Sequence, residues 1–170
     1  MTKEETQKLI DDHYLFKGKD KFQAASGYHE HWPHGRGIFM AKSKELLVWV
    51  NEGDHLGIIS MDKSSDIKKC FGRLGQGVLA IEEAVQKLKA DHEVFAHDEV
   101  LGMITCCPTN LGSGMRCSAH VLLPKLCAKI GLEGINEIAF GLYCQARGSK
   151  GEHSDAADCK IDISNLKTGI

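Results

Sequence analysis

With 170 residues and 18.7 kDa, the chain is long enough to bury one hydrophobic core, and its 42% hydrophobic and 26% charged residues are typical of a globular domain. A net charge of −2 provides no general attraction to nucleic acid or an anionic membrane, so neither is expected as a partner. No apolar run approaches the roughly 20 residues of a membrane span, and the polar start of the chain is unlike a secretory signal. The odd number of cysteines, seven, indicates reduced thiols in the cytoplasm rather than a disulfide framework.

The first 60 residues predict a helix, a long loop and a β-hairpin. Thr2 and Glu5 have the spacing of a capping box, so a helix is expected from Thr2 to about Asp12. Between residues 17 and 37, glycine and proline recur and predict a loop. The hairpin is predicted from an apolar strand, a run of turn residues and a second strand, over residues 46–50, 51–54 and 55–60.

The rest of the chain predicts helices at irregular intervals between short strands. Residues 66–89 have apolar side chains at three- and four-residue spacing and form the clearest helix. Further elements are predicted as a strand over 101–106, a helix over 124–130, a strand over 137–147 and a strand over 161–163. Because hairpins are present and regular βαβ alternation is absent, the predicted fold is α+β, a mainly antiparallel sheet flanked by helices.

The stretch from Cys107 to His120 contains most of the side chains that could react or bind an anion. It places a thiol before a proline, then a glycine-spaced loop, then Arg116. Backbone N–H groups in such a turn can bind an anion, and an arginine adds a planar charged fork. A second glycine loop follows Arg147, yet neither loop has a Walker A ending and GxGxxG is absent. From the pattern alone, ordinary turns with surface arginines are favoured, and Cys107 is undecided between a core and a cleft position.

Three histidines, His29, His31 and His34, suggest a metal site because imidazoles suit zinc and copper. They lack the helical spacing of a zincin, and no cysteine lies nearby at finger spacing. A polar loop is the favoured interpretation, and no metal ligand is assigned.

Taken together, these segments resemble the phosphagen kinases, the ATP:guanidino phosphotransferases that include arginine and creatine kinases. The resemblance runs nearly end to end and in family order. The matching stretches cover residues 32–39, 47–52, 58–61, 107–112, 147–153 and 162–165.

This resemblance implies transfer of the ATP γ-phosphoryl group to a guanidino nitrogen. Glu52 and Glu152 match the two carboxylates that hold the guanidinium and accept its proton. Cys107 matches a thiolate that contacts the same group, so these three residues are the expected catalytic and substrate-binding residues.

A nucleotide site is implied in the same way. Arg116 and Arg147 match two arginines that clamp the phosphates of ATP or ADP, and Mg²⁺ is expected on the nucleotide and waters rather than on a protein ligand. The other implied contacts are His13, Cys117, Ser118, Ala119, His120, Gly148, Ser149, Lys150, Gly151 and Glu152.

The order Glu152-His153 resembles the arginine kinase branch, so arginine is the expected small-molecule acceptor and related guanidino compounds remain alternatives. Nothing in the sequence indicates the oligomeric state. Residues 1–170 are expected to be the central part of the catalytic domain, without the family's N-terminal domain and C-terminal helix, and weak or inactive alone.

Gly57 departs from the family pattern, since it stands where the family has a phosphate-binding arginine. This departure keeps a second hypothesis open, a catalytically impaired relative that binds nucleotide or serves as an interaction domain. A bacterial-type kinase acting on protein arginines is a third, and it fits the segment around Trp49 less well.

Overall fold

The computed structural model describes residues 2–12, 14–15, 24–25, 27–28, 30–31, 34–88, 93–148 and 159–168. The chain divides into two compact units, Met1–Leu74 and Gly75–Ile170, and each is described by itself. Every pairing between the strands named below is antiparallel, and helices occur at irregular intervals between the strands, so the predicted α+β class is confirmed.

The first unit opens with helix α1 (Lys3–Asp11), which begins at the predicted capping box. The Thr2 hydroxyl accepts a hydrogen bond from the Glu5 N–H at 3.1 Å, and the Glu5 carboxylate accepts one from the Thr2 N–H at 2.7 Å. Two N–H groups that the helix cannot pair internally are thereby satisfied.

A three-stranded sheet follows, made of β1 (Gly37–Met40), β2 (Leu46–Val50) and β3 (Leu56–Ser60) in that spatial order. The β2–β3 hairpin confirms the prediction. Strand β1 was not predicted, because it is a short edge strand that directly follows a glycine- and proline-rich segment. Leu47, only 1% exposed, is the most buried side chain among the described residues of this unit.

Helix α2 (Ile67–Leu88) confirms the long helix predicted over residues 66–89. The Asp66 carboxylate accepts a hydrogen bond from the Lys69 N–H at 2.9 Å and caps the first turn. Added methyl groups at Gly72 or Gly75 would meet no atom within 4 Å, so packing does not require either glycine.

In the second unit, β4 (His97–Asp98) and β5 (Gly102–Met103) form a two-stranded ribbon. The strand predicted over residues 101–106 is therefore wrong in length. The chain leaves the ribbon after Met103, whose N–H donates to the Gly112 carbonyl at 2.7 Å. A methyl group on Gly102 (φ +71°) would lie 2.4 Å from that carbonyl oxygen, so the close approach requires glycine.

The main sheet of this unit contains β6 (Ser118–Leu122), β7 (Cys144–Gly148) and β8 (Lys160–Asn165), ordered β6-β8-β7. Helix α3 (Pro124–Gly141) covers one face of it. The core between helix and sheet consists of Ile135, Ala139, Ala146 and Ile161.

The strand predicted over residues 137–147 is wrong, because α3 continues to Gly141 and only Cys144–Gly148 is extended. Gly131 has φ +67° and interrupts the helix, which hides the helical period of the residues after it. Ile135 and Ala139, four residues apart, then bury the same helix face on the sheet. The helix predicted over 124–130 matches the part of α3 before this interruption, and the last strand exceeds the predicted 161–163.

Candidate functional site

The tip of the β2–β3 hairpin presents Glu52, as predicted. Asn51 adopts φ +54°, and its N–H donates to the His55 carbonyl at 2.9 Å. The Asn51 side-chain amide also donates to the Gly35 carbonyl at 2.7 Å, which ties the tip to the segment before β1. The Glu52 carboxylate accepts a hydrogen bond from the Gly53 N–H. Glu52 therefore lies on a turn that hydrogen bonds to His55 and to Gly35 stabilise.

Tyr28 lies within electrostatic reach of Glu52, and Arg36 lies beside Tyr28. Burial and then the Glu52 charge raise the pKa of Tyr28, while the Arg36 guanidinium opposes that rise. The Arg36 guanidinium carbon lies 4.7 Å from the Tyr28 ring centroid, and the same group donates to the Tyr28 carbonyl. Glu52 therefore has the Tyr28 phenol within electrostatic reach, and no sequence motif signalled Tyr28.

Gly57 lies on β3 directly opposite Trp49. A methyl group added at this glycine would meet the Trp49 side chain at 3.6 and 3.7 Å, which is ordinary van der Waals contact. Packing against β2 therefore does not exclude a larger side chain at position 57.

The Cys107 loop begins at the end of the β4–β5 ribbon and opens with a 3₁₀ turn, Pro108–Asn110. The Cys107 sulfur lies 2.9 Å from the Thr109 hydroxyl oxygen, and the Cys107 carbonyl accepts from the Thr105 hydroxyl at 2.7 Å. Beyond the turn, Gly112 and Gly114 have φ values of 103° and 61° and lead to Arg116. The half-buried thiol thus sits at the start of a constrained glycine loop.

One face of the β6-β8-β7 sheet gathers polar and cationic side chains around Asp162. On the central strand, Asp162 is paired with His120 of β6 and with Arg147 of β7, so the three side chains project from the same face. Arg116 donates to the Asp162 carboxylate at 2.6 Å, and His120 Nε2 lies 3.9 Å from it. Arg147 donates to the Gln145 side chain at 2.8 Å. This cationic face has the donors that a multiply charged anion needs.

The family model described as "ATP:guanido phosphotransferase, C-terminal catalytic domain" matches residues 1–169. The chain belongs to the ATP:guanido phosphotransferase family. It is 46% identical over 167 residues to the arginine kinase Lit v 2 of Penaeus vannamei, covering 98% of this chain and 44% of that protein. An arginine kinase of Plodia interpunctella is 46% identical over 168 residues, with the same coverage. The chain therefore spans less than half the length of these relatives.

Solved structures of the family agree with the fold. The crystal structure of a lombricine kinase matches with a TM-score of 0.86 and 38% identity, covering 100% of this chain and 45% of that one. The duplicated taurocyamine kinase of Schistosoma mansoni, with bound transition state analog components, matches with a TM-score of 0.80 and 37% identity, covering 100% of this chain and 22% of that one.

In this member of the ATP:guanido phosphotransferase family, the structure brings some of the predicted site residues together. Arg116, His120 and Arg147 surround Asp162, and Cys107 opens the loop that leads to Arg116. Glu52 belongs to the first unit. The predicted residues that lie outside the described part of the chain are His13, Ser149, Lys150, Gly151 and Glu152.

The remaining predicted nucleotide contacts are neighbours of these residues along the chain. Cys117, Ser118 and Ala119 are exposed on the approach to β6 and along it. Gly148 ends β7 and is buried, paired with Ile161 of the core.

Sequence reasoning did not single out Asp162 as a site residue. Asp162 lies in the stretch 162–165 that matches the family, and an acid between Ile161 and Ile163 on a strand is a usable signal. With the two isoleucines turned toward the core, Asp162 must project to the opposite face.

Within the described ranges, no group of three or more His, Cys, Asp or Glu side chains is placed to hold a metal ion. His31 and His34 are exposed there, and His29 lies outside those ranges. Among the same residues, no helix combines the length and apolar character required to cross a membrane.

Proposed function

We propose that this chain takes part in phosphoryl transfer from ATP to the guanidino group of arginine, forming a phosphagen and ADP. The observation that carries the proposal is the gathering of Arg116, His120 and Arg147 around Asp162, in the same unit as the Cys107 loop. Arginine is preferred as the acceptor because of the Glu152-His153 pair and the 46% identity to proteins named arginine kinase.

On the nucleotide side, Arg116 and Arg147 would bind the phosphates and stabilise the charge that develops during transfer. The Arg116 side chain is 42% exposed, so its guanidinium is accessible to a ligand, whereas the Asp162 side chain that it contacts is only 13% exposed. The cationic face suits a nucleotide that brings its own Mg²⁺, which would neutralise phosphate charge.

On the acceptor side, a guanidinium is protonated at neutral pH and must lose a proton to become nucleophilic. Glu52 and Glu152 are the proposed carboxylates that orient it and receive the proton. Cys107 is the proposed thiolate contact, and the Thr109 hydroxyl at 2.9 Å is placed to donate to the sulfur.

A coupled assay of ADP release over a panel of acceptors tests this function. We expect release to depend on arginine more strongly than on creatine, lombricine or taurocyamine, and to fall sharply in Cys107→Ala. Lys129→Gln, on the exposed side of α3, serves as the unaffected control. Because the chain spans 44% of the length of its arginine kinase relatives, we expect slow turnover from these 170 residues alone.

Two outcomes would revise the proposal in different ways. A higher kcat/KM with another guanidino compound would replace arginine as the acceptor. Absence of guanidino-dependent ADP release together with absence of ADP binding would remove the phosphotransferase assignment.

A second candidate function is nucleotide binding without efficient transfer. Gly57 favours it, since an arginine donor to phosphate is missing at this position. Retention of Glu52, Cys107, Arg116, Arg147 and Glu152 favours the enzyme. For either function, we propose a cytoplasmic protein, on the basis of its seven cysteines.

A further inference from the structure

Asn165, the last residue of β8, holds the backbone on both sides of Arg116. Its side-chain oxygen accepts a hydrogen bond from the Cys117 N–H at 2.9 Å. Its side-chain nitrogen donates to the Met115 carbonyl at 3.2 Å and to the Lys167 carbonyl at 2.7 Å. One amide therefore fixes the residues immediately before and after the arginine that we assign to phosphate.

Thr168, three residues later, holds the preceding part of the same loop. Its hydroxyl shares one proton between the carbonyl oxygens of Thr109, at 3.2 Å, and Leu111. Its carbonyl accepts from the Ser113 N–H at 2.7 Å and from the Ser113 hydroxyl. Residues 109, 111 and 113 of the Cys107 loop are thus tied to one threonine.

The loop needs such anchors because of its composition. Gly112 and Gly114 both adopt positive φ, and a glycine loses more conformational freedom than other residues when it is ordered. Without hydrogen bonds from other segments, the loop between Cys107 and Arg116 would sample many conformations. External hydrogen bonds on both halves of the loop reduce that freedom before any ligand binds.

The hydrogen bonds of Asn165 also connect it to Arg147. The Gln145 side-chain nitrogen donates to the Asn165 carbonyl at 3.2 Å, and its oxygen accepts from Arg147 at 2.8 Å. Asn165 is therefore linked to both arginines, to Arg116 through neighbouring backbone and to Arg147 through Gln145. A residue that only ended the strand would not require this pattern.

We propose that Asn165 and Thr168 are positioning residues, with Asn165 setting Arg116 for the nucleotide phosphates and Thr168 setting the Cys107 loop for the guanidino group. Both act through the backbone of the loop rather than by touching a substrate. The proposal rests on the proposed function for the identity of the ligands.

Two substitutions separate the two roles. Asn165→Asp keeps an oxygen for the Cys117 N–H and loses both donated hydrogen bonds. Thr168→Val keeps the shape and loses the hydroxyl, while Thr168→Ser retains it. Thr6→Val removes a comparable hydroxyl-to-carbonyl bond, of 2.8 Å, from α1 in the other unit and is the matched control.

Two measurements are made on each variant: the dissociation constant for MgADP by calorimetry, and the rate at which iodoacetamide alkylates Cys107, by peptide mass spectrometry. Asn165→Asp should weaken MgADP binding at least about tenfold, from two lost hydrogen bonds and an added negative charge, with Cys107 alkylation nearly unchanged. Thr168→Val should change the alkylation rate of Cys107 by about threefold or more. Thr168→Ser and Thr6→Val should match the unsubstituted chain in both measurements.

Wild-type values in both measurements for Asn165→Asp and Thr168→Val would overturn the inference while leaving the proposed function in place. If the unsubstituted chain binds no MgADP, the proposed function fails, and the Cys107 rates still decide the role of Thr168. Should Thr168→Val fail to fold, Ser113→Ala tests the role of Thr168 instead, because it removes the Ser113 hydroxyl that donates to the Thr168 carbonyl. An unchanged alkylation rate of Cys107 in Ser113→Ala would then overturn that role.

Discussion

Gly57 stands where the family resemblance leads us to expect a phosphate-binding arginine, and packing does not require a glycine at this position. Because the nearest atoms to an added methyl group are Trp49 carbons at 3.6 and 3.7 Å, Gly57→Arg should fold normally. A new hydrogen bond to a charged phosphate is worth about 1.5–3 kcal/mol, so we expect MgADP to bind at least about tenfold more tightly. Calorimetric titration measures this change.

Gly57→Gln is the control for side-chain size without charge. A tightening with arginine and not with glutamine would indicate a nucleotide site weakened at this position. Equal MgADP affinities in Gly57→Arg, Gly57→Gln and the unsubstituted chain would show that another cation already binds the phosphate. That result would favour the fully active enzyme.

The Thr109 hydroxyl, 2.9 Å from the Cys107 sulfur, supplies a second test at the scale of one residue. A donor at this distance stabilises a thiolate, so Thr109→Val should lower the alkylation rate of Cys107 about tenfold at neutral pH. Thr109→Ser retains the hydroxyl and should react at the normal rate. If valine and serine behave alike, the contact does not govern the reactivity of this thiol.

At the scale of elements, the contact between the β4–β5 ribbon and the Cys107 loop depends on Gly102. A methyl group there would lie 2.4 Å from the Gly112 carbonyl oxygen, and φ is +71°. We expect Gly102→Ala to lower the free energy of unfolding by about 1–3 kcal/mol, from overlap and backbone strain.

Gly75→Ala is the matched control, since it lies within α2 with no atom within 4 Å of the added methyl. This change should raise the free energy of unfolding by about 0.5–1 kcal/mol, through better helix propensity. Urea denaturation followed by circular dichroism measures both variants. A tolerated Gly102→Ala would contradict the tight approach of ribbon and loop.

A second element-level prediction concerns the residues between β3 and α2. Hydrogen bonds from Ser64, and then from Arg73 and Lys69, hold the pKa of the Asp62 carboxyl far below its ordinary value of 3.8. Arg73 lies 3.0 Å from Asp62 and 3.3 Å from Glu45. The ionised form of Asp62 therefore stabilises the folded first unit above about pH 4, and this contribution is lost as the pH falls below that value.

Asp62→Asn should accordingly lower the free energy of unfolding at pH 7, with a difference from the unsubstituted chain that shrinks toward pH 3. Urea titrations at the two pH values test the sign. Glu83→Gln removes an exposed ion pair of α2 and should change stability by about 0.5 kcal/mol or less. An Asp62→Asn effect that stays constant with pH would contradict the electrostatic explanation.

The elements also show which features the sequence specifies locally. The capping box of α1 and the apolar period of α2 are contained in short windows, and both predictions are confirmed. The second half of α3 was predicted as a strand because the Gly131 interruption hides its period. Strand β6 was missed because it is only five residues long and mostly exposed.

The residues of the candidate site also divide into those that a sequence motif signals and those that it does not. Cys107, Arg116 and Arg147 were found through motifs that resemble a family. Asp162 and Asn165 become site residues only when β8 pairs between β6 and β7, which brings together segments more than 40 residues apart in the case of Arg116 and Asp162. These contacts depend on the tertiary fold, so a local pattern can signal that Asp162 lies on the polar face of its strand but not which residues it meets there.

At the scale of the whole molecule, the central claim is that the face around Asp162 binds a nucleotide. Calorimetric titration of MgADP into the chain and into Arg116→Gln, Arg147→Gln and Lys129→Gln tests it most directly. Loss of one charged donor should weaken binding about tenfold or more in the first two variants, with Lys129→Gln unchanged. Equal MgADP affinity in all four proteins would contradict the assignment of this face to the nucleotide.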